Sequence, residues 1–131
     1  MIYFISGHRD LTQEEFDTYY APKIDKVMDE DLFADFVIGD WEGCDKMALE
    51  YILSQESYGY ISIYCVGQCR LKPFGDDVTN FEHTFVNFYT SYDDCDATMT
   101  QDSDFDIAWV RPGREDSHTA VNIKRRYYGK V

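Results

Sequence analysis

The feature of this sequence that most limits its fold is an alternation of short apolar runs with segments of helical periodicity. Four runs are rich in β-branched and aromatic residues and nearly free of charge: 2–6, 36–38, 60–66 and 105–110. Runs of this kind are typical of strands that are buried on both faces. Because neither face of such a strand can be left in water, the sheet must lie between two layers of other elements.

The segments between these runs carry the signals of helices. Thr12 with Glu15 three residues later fits a capping box, and Pro22 is expected to kink or split the helix that they begin. Apolar residues at helical spacing predict further helices over about 47–53, 93–102 and 119–126. The segment 67–90 has no clear period, and we interpret it as a long ordered loop. The predicted fold class is therefore a Rossmann-like α/β three-layer sandwich with a mainly parallel sheet of four or five strands.

Length and charge limit the range of functions. The 131 residues suffice for one compact domain, 1–131. Twelve basic and 25 acidic residues give a net charge of −13, which repels a phosphate backbone and disfavours general binding to nucleic acids. No apolar stretch approaches the ~20 residues of a membrane span, and the N-terminus lacks the pattern of a signal peptide. We therefore expect a soluble cytoplasmic protein that does not contact membranes.

The cysteines predict reduced thiols. Without a secretory signal, Cys44, Cys65, Cys69 and Cys95 are not expected to form a disulfide framework. Three of them could be combined with His83 into a zinc site, but they lack the two close ligand pairs that such sites usually have. The sequence predicts no metal site and no cofactor.

Three glycine-bearing turns follow predicted strands: 6–9, 39–43 and 111–119. In parallel sheets, ligands bind outside the C-terminal ends of the strands. Each turn also leads to a helix N-terminus, where free N–H groups and the helix dipole attract anions. None of the turns matches the dinucleotide fingerprint or the P-loop, so a nicotinamide-dependent dehydrogenase or a kinase is disfavoured.

The placement of cations supports an anionic ligand. Arg9, Arg111 and Arg114 all lie in these turns, although only 12 residues of the chain are basic. Guanidinium groups bind phosphate through two parallel hydrogen bonds. The alternative is that these arginines form ion pairs at the rim, with Asp10, Asp40 or Glu115. The predicted binding residues are Gly7, His8, Arg9, Gly39, Asp40, Gly43, Arg111, Gly113, Arg114, Ser117, His118 and Thr119.

Aromatic and imidazole side chains in the turns have two interpretations each. His8 is either a ligand contact or a polar turn residue. His118 could contact phosphate, although an exposed position at the start of a helix fits it better. Trp41 could stack on a base, although packing is the commoner role of a large aromatic residue at the end of a strand.

Together these segments resemble the SLOG superfamily. The resemblance lies in Gly7-His8-Arg9-Asp10, in Gly39-Asp40-x-x-Gly43-x-Asp45 with Ala48, and in Asp106-Ile107-Ala108-Trp109-Val110-Arg111-Pro112-Gly113 with Thr119. That group contains the lonely-guy phosphoribohydrolases and the nucleotide-binding domain of DNA-processing protein A, and it is similar to the nucleoside 2-deoxyribosyltransferases. The resemblance covers nearly the whole chain. It implies a pocket for nucleosides, nucleotides or ADP-ribose-like molecules, and enzymes that cleave or exchange the N-glycosidic bond.

Two positions depart from the pattern of the phosphoribohydrolases, Pro-Gly-Gly-x-Gly-Thr-x-x-Glu. Pro112, Gly113 and Thr119 match, His118 replaces the second loop glycine, and Asn122 stands where the glutamate belongs. An asparagine cannot act as a nucleophile or as a charge partner for an oxocarbenium-like transition state. The catalytic residues therefore stay open, with Glu42, Asp45, Glu115, Asp116 and Asn122 as candidates.

The leading hypothesis is a domain that binds a nucleotide or a nucleotide-derived, ADP-ribose-like molecule. One alternative is an N-glycosidic bond hydrolase or a nucleoside 2-deoxyribosyltransferase that acts on nucleoside monophosphates. Another is an interaction protein with a vestigial pocket. The resemblance also implies a homo-oligomer, and the aromatic segment 81–92 is the expected contact.

Overall fold

The computed structural model describes residues 1–67 and 84–128, except for the side chain of Tyr128. Within these ranges, five parallel strands form one sheet with helices on both faces. The elements are β1 (Ile2–Ser6), α1 (Gln13–Tyr19), α2 (Ala21–Glu30), β2 (Asp35–Ile38), α3 (Cys44–Leu53), β3 (Ile61–Val66), β4 (Thr84–Tyr89), α4 (Tyr92–Gln101), β5 (Phe105–Ala108) and α5 (His118–Tyr128). The predicted fold class is confirmed.

The order of the strands determines where a ligand can bind. The sheet runs β4-β3-β2-β1-β5, so the chain moves outward from β1 to β4 and then returns to place β5 on the other side of β1. The register pairs Ile5 with Ile38 of β2 and with Ile107 of β5. A reversal of this kind leaves a crevice outside the C-terminal ends of the two strands that flank it. In this chain the crevice lies beyond β1 and β5.

The two faces of the sheet carry different helices. Ile5 belongs to the core on the face covered by α1, α2 and α3, together with Phe16, Ile24 and Ile52. Its neighbour Phe4 belongs to the cluster on the opposite face, which contains Met99 of α4. Because successive residues of a strand point to opposite faces, an apolar run such as β1 supplies both cores.

The prediction of a loop over 67–90 is wrong for 84–89, where β4 pairs in parallel with β3. β4 is the outermost of the described strands on its side, and Phe85 and Phe88 are more than half exposed. The edge position alone is not the reason, because β5 lies at the opposite edge and was predicted. The run 84–89 carries β-branched and aromatic residues, but it adjoins a segment with Pro73, Gly75 and no clear period, which obscured its strand signal. The rest of that predicted loop, 68–83, is outside the described residues.

The helix boundaries agree more closely with the prediction. Thr12 forms the capping box with Glu15, and the chain breaks at Tyr20 between α1 and α2 with Pro22 in the first turn of α2. Proline is tolerated there because its missing N–H has no partner within the helix. In 1–67 and 84–128, no helix is long and apolar enough to cross a bilayer.

Candidate functional site

A cavity of about 430 Å³ opens at the crevice outside the C-terminal ends of the strands. This volume lies within the range of small-molecule sites. Its walls come from the β1–α1 turn, the β2–α3 turn, α4, and the β5–α5 loop with the start of α5. The predicted site residues that line it are Gly7, His8, Arg9, Gly39, Asp40, Asp45, Arg114, Ser117, His118, Thr119 and Asn122.

Other predicted residues lie outside the lining: Glu42, Gly43, Arg111, Gly113, Glu115 and Asp116. Arg111 forms the predicted ion-pair alternative, with Nη2 at 2.6 Å from Glu15 Oε1 and Nη1 at 3.1 Å from Asp10 Oδ1. Glu42 lies 3.6 Å from Lys46 at the surface. The structure therefore brings together the turn after β1, the turn after β2 and the second half of the β5–α5 loop.

Two glycines allow the first two turns to lie against each other. A Cβ atom at Gly7 would stand 2.5 Å from Cys44 Sγ, and one at Gly43 would stand 2.3 Å from the carbonyl oxygen of Arg9. Gly43 also has a φ of +79°, which favours glycine. The backbone N–H of Cys44 donates to the carbonyl of His8 at 3.2 Å, which joins the start of α3 to the β1–α1 turn.

His8 connects this wall to the β5–α5 loop. Its side chain is buried, and its Nε2 accepts a hydrogen bond of 2.9 Å from the backbone N–H of Arg111. Burial lowers the pKa of the imidazole, and the positive charges of Arg114 and Arg111 lower it further. At neutral pH the ring is therefore uncharged, and it lies edge-on to the ring of Trp109.

Arg9 and Trp41 form one side of the cavity. The guanidinium carbon of Arg9 lies 3.4 Å from the centroid of the Trp41 ring, a cation–π arrangement. The ring of Trp41 in turn stacks against Tyr92 of α4 at 5.7 Å between centroids. One face of Trp41 therefore carries Arg9 and does not offer a bare surface for stacking on a base.

Two carboxyl groups of the cavity have raised pKa values. Asp45 is buried at the start of α3, its Oδ2 accepts a 3.1 Å hydrogen bond from the backbone N–H of Trp41, and burial raises its pKa to about 7, helped by the charges of Asp40 and Asp96. Burial also raises the pKa of Asp96, although His118 at 3.7 Å opposes this change. Protonated carboxyl groups near neutral pH are typical of acid–base sites and of tightly packed acids.

The start of α5 forms the opposite side. Ser117 caps the helix by accepting a hydrogen bond from the backbone N–H of Ala120 at 3.3 Å, and Thr119 is buried. Asn122 is buried too, and its Oδ1 accepts a 2.7 Å hydrogen bond from Arg125. Arg114 is 45% exposed and lies 3.7 Å from Asp10, a longer separation than in the pairs of Arg111.

Ser6 supplies an unsatisfied polar group. It ends β1, lines the cavity and is only 6% exposed, yet its Oγ has no hydrogen-bond partner among the described residues. A buried hydroxyl without a partner costs ~1–3 kcal/mol. A ligand oxygen or nitrogen in the cavity would remove that cost.

The sequence interpretation missed the contribution of α4, which includes Tyr92, Cys95, Asp96 and Met99. α4 reaches the cavity because it follows β4 back over the sheet, and β4 was taken for a loop. The available signal was the spacing of Cys95, Asp96 and Met99, which places the three on one side of a helix.

The described cysteines and histidines form no metal centre. In residues 1–67 and 84–128, no three His, Cys, Asp or Glu side chains are arranged to hold a metal ion. Cys44, Cys65 and Cys95 are buried and form no disulfide, whereas Cys69 and His83 lie outside the described residues. Comparison of the chain with protein-family models, with curated proteins and with solved structures gave no match.

Proposed function

We propose that this cavity binds a nucleotide or a nucleotide-derived molecule of the ADP-ribose type. One observation carries the proposal. A single cavity of about 430 Å³ is lined by Arg114, the N-terminus of α5 and the unsatisfied hydroxyl of Ser6, and it lies where the strand order reverses. The resemblance to the SLOG superfamily supports the same ligand class.

The polarity of the cavity fits a molecule with an anionic end. Arg114 is loosely paired, and the first turn of α5 adds free backbone N–H groups and the positive end of the helix dipole. The rest of the lining includes apolar side chains of Phe4, Val66 and Met99, which suit a base or a sugar face. A nucleotide matches both regions of the cavity if its phosphate lies near Arg114 and α5 and its heterocycle contacts the apolar side chains.

Binding is tested with a panel of ribo- and deoxyribonucleotides, ADP-ribose and cyclic ADP-ribose, followed by thermal shift and calorimetry. A ligand at a hundred times its dissociation constant raises stability by ~2.7 kcal/mol. Arg114→Gln is expected to weaken binding about tenfold, because it removes a charged hydrogen-bond donor. If no member of the panel binds at millimolar concentration, the proposal fails and an interaction protein with a vestigial pocket is favoured.

Lys46→Gln is the matched control for Arg114→Gln. Both positions lose one positive charge, their side chains are 44% and 45% exposed, and their ion pairs are 3.6 and 3.7 Å long. Lys46 does not line the cavity. Equal weakening by the two substitutions would attribute the effect to net charge and refute a direct contact by Arg114.

Cleavage of the N-glycosidic bond is the second candidate function. It is favoured by Asp45, because a carboxyl group with a pKa of about 7 can give a proton to a departing base near neutral pH. Asp96, whose pKa is also raised by burial, is the second candidate. The test is chromatographic detection of free base from nucleoside monophosphates. The protein is an enzyme if the wild type releases free base and if Asp45→Asn or Asp96→Asn abolishes this release while the affinity for the nucleotide stays unchanged. A thermal shift without release of base would establish a binding domain.

We also propose that the protein self-associates through the outer edge of β4. Phe85 and Phe88 are 52% and 62% exposed on this strand, and Tyr60 lies against Phe85 with ring centroids 5.6 Å apart. Exposed aromatic clusters are enriched at interfaces. Sedimentation of the wild type as a dimer or larger species, and of Phe88→Lys as a monomer, is the expected result; a monomeric wild type would refute it.

A further inference from the structure

The hydrogen bond between Arg111 and His8 determines which nitrogen of the imidazole carries the proton. The backbone N–H of Arg111 can only donate, and it does so to His8 Nε2 at 2.9 Å. Nε2 must therefore hold a lone pair, so in an uncharged ring the proton is on Nδ1. The tautomer of His8 follows from this one contact.

The Nδ1–H of His8 then lacks a partner among residues 1–67 and 84–128. Among the described residues, the hydrogen bonding of this ring consists of the bond from Arg111 to Nε2, and His8 is 3% exposed and lines the cavity. Nδ1 is not among the atoms that are both fully buried and without a partner, so a molecule in the cavity can reach it. Together with the unsatisfied Oγ of Ser6, it gives the end of β1 two polar groups in the cavity that a ligand can satisfy.

The charges around the ring indicate the kind of group that it would contact. Arg114 and Arg111 contribute positive potential at His8, and Asp10 and Glu15 contribute negative potential. Arg111 already pairs with both of these carboxylates, whereas Arg114 lies in the cavity lining and is only loosely paired. The lining also carries Arg9 and four carboxyl groups, those of Asp10, Asp40, Asp45 and Asp96. Arg114 is the cation whose charge acts on His8 from the cavity lining, so it would attract an anionic oxygen to this ring.

We propose that His8 is a fixed, uncharged hydrogen-bond donor that contacts an anionic oxygen of the ligand through Nδ1–H, and that it does not serve as a general base. This inference rests on the proposed binding of nucleotides. It assigns His8 a direct contact in addition to its role in joining the β1–α1 turn to the β5–α5 loop.

The tautomer is measured without any ligand, by two-bond ¹⁵N–¹H correlation spectra of the labelled protein. The chain has three histidines, and His8→Gln identifies the signals of His8. We expect a protonated Nδ1 and an unprotonated Nε2 at every pH from about 7 to about 8. A proton on Nε2, or titration of the ring at or above the pKa of free histidine, would overturn the proposal.

The contact is measured by calorimetry with AMP and, as a smaller probe, inorganic phosphate. His8→Gln keeps an acceptor that can reach the Arg111 N–H but has no donor at the place of Nδ1, so it is expected to melt like the wild type and to bind AMP about tenfold more weakly. His8→Asn keeps a donor near Nδ1 and is too short to accept from Arg111. It should retain most of the affinity and lose thermal stability.

The outcomes separate this inference from the proposed function. If the wild type binds AMP and His8→Gln binds it equally well, His8 is not a ligand contact and the proposed function stands. If both His8→Gln and His8→Asn lose affinity in proportion to their loss of stability, the role of His8 is only structural and the proposal fails. If the wild type binds neither probe nor any other nucleotide of the panel, both proposals fail.

Discussion

The carboxyl group of Asp45 is buried, unlike that of an acidic residue on the surface of a helix. It lies in the first turn of α3, where acids are common because they interact with the helix dipole, but here the side chain is buried. Its Oδ2 lies so close to Gly39 that a Cβ atom there would be 2.7 Å away. The spacing of residues along the chain predicts the helix, but the burial of this acid depends on α4, which brings Asp96 to the same cavity.

The raised pKa of Asp45 predicts how stability depends on pH. The folded protein holds this proton up to about pH 7, whereas an unfolded chain releases it near its ordinary value, so stability decreases as the pH rises between these values. Asp45→Asn keeps an acceptor for the Trp41 N–H and cannot ionise. At pH 8 we expect the unfolding free energy of Asp45→Asn to exceed that of the wild type by up to about 4 kcal/mol. We also expect that the stability of the variant does not show the decrease with rising pH that Asp45 causes in the wild type.

Urea denaturation from about pH 4 to about pH 8 tests this expectation. Asp29→Asn is the control, because Asp29 is an exposed carboxylate on α2 that does not line the cavity. The prediction is wrong if the wild type and Asp45→Asn keep parallel stability profiles over this range.

At the level of elements, the start of α1 holds the β5–α5 loop in place through hydrogen bonds. The hydroxyl of Thr12 accepts from the backbone N–H of Glu15, and the carboxylate of Glu15 accepts from the backbone N–H of Thr12. The same carboxylate also accepts two hydrogen bonds from Arg111, which follows β5. One glutamate thus caps a helix and positions a loop that is distant in sequence.

Loss of the cap is expected to destabilise the protein moderately. Thr12→Ala leaves the backbone N–H of Glu15 without its side-chain acceptor and should lower the unfolding free energy by ~1 kcal/mol. Thr12→Ser keeps the hydroxyl and should stay close to the wild type. Chemical denaturation distinguishes the two, and equal losses in both variants would show that the methyl group, and not the hydrogen bond, is responsible.

Arg111→Ala is expected to lower the midpoint of thermal unfolding and to change how this midpoint depends on pH. The hydrogen bonds of Arg111 hold the pKa of Glu15 at about 2, so this carboxylate stabilises the folded state above its ordinary pKa and loses that effect as the pH falls toward 2. The difference in midpoint between wild type and variant should therefore shrink between about pH 4.5 and about pH 2. A constant difference, measured by circular dichroism, would contradict the ion-pair origin of the stabilisation.

The elements that were predictable are those whose pattern depends on local chemistry. β1 and the capping box of α1 could be predicted because buried strands and helix caps leave a direct trace in the sequence. β4 also carries β-branched and aromatic residues, but its pairing with β3 at the edge depends on the whole sheet and could not be predicted. At the site, the three turns and the pairing of Arg111 with Asp10 were among the alternatives that the sequence offered, whereas the pairing of Arg111 with Glu15 was not.

For the whole molecule, the net charge of −13 predicts a response to salt. Mutual repulsion of excess acidic groups destabilises the compact state, and dissolved ions screen it. Raising NaCl from about 20 mM to about 0.5 M should increase the melting temperature by a few degrees. Scanning calorimetry at constant pH measures this, and a decrease would mean that attractive ion pairs such as those of Arg111 outweigh the repulsion.

The close packing of Gly7 against Cys44, and of Gly43 against the carbonyl of Arg9, also has a consequence for evolution. A side chain at either glycine would collide with the other turn, so both glycines are expected to persist in every variant that keeps this wall of the cavity. At Gly113, in the β5–α5 loop, a Cβ atom would meet nothing within 4 Å. Substitutions that adapt the cavity to another ligand are therefore expected in the β5–α5 loop and not where the other two turns touch.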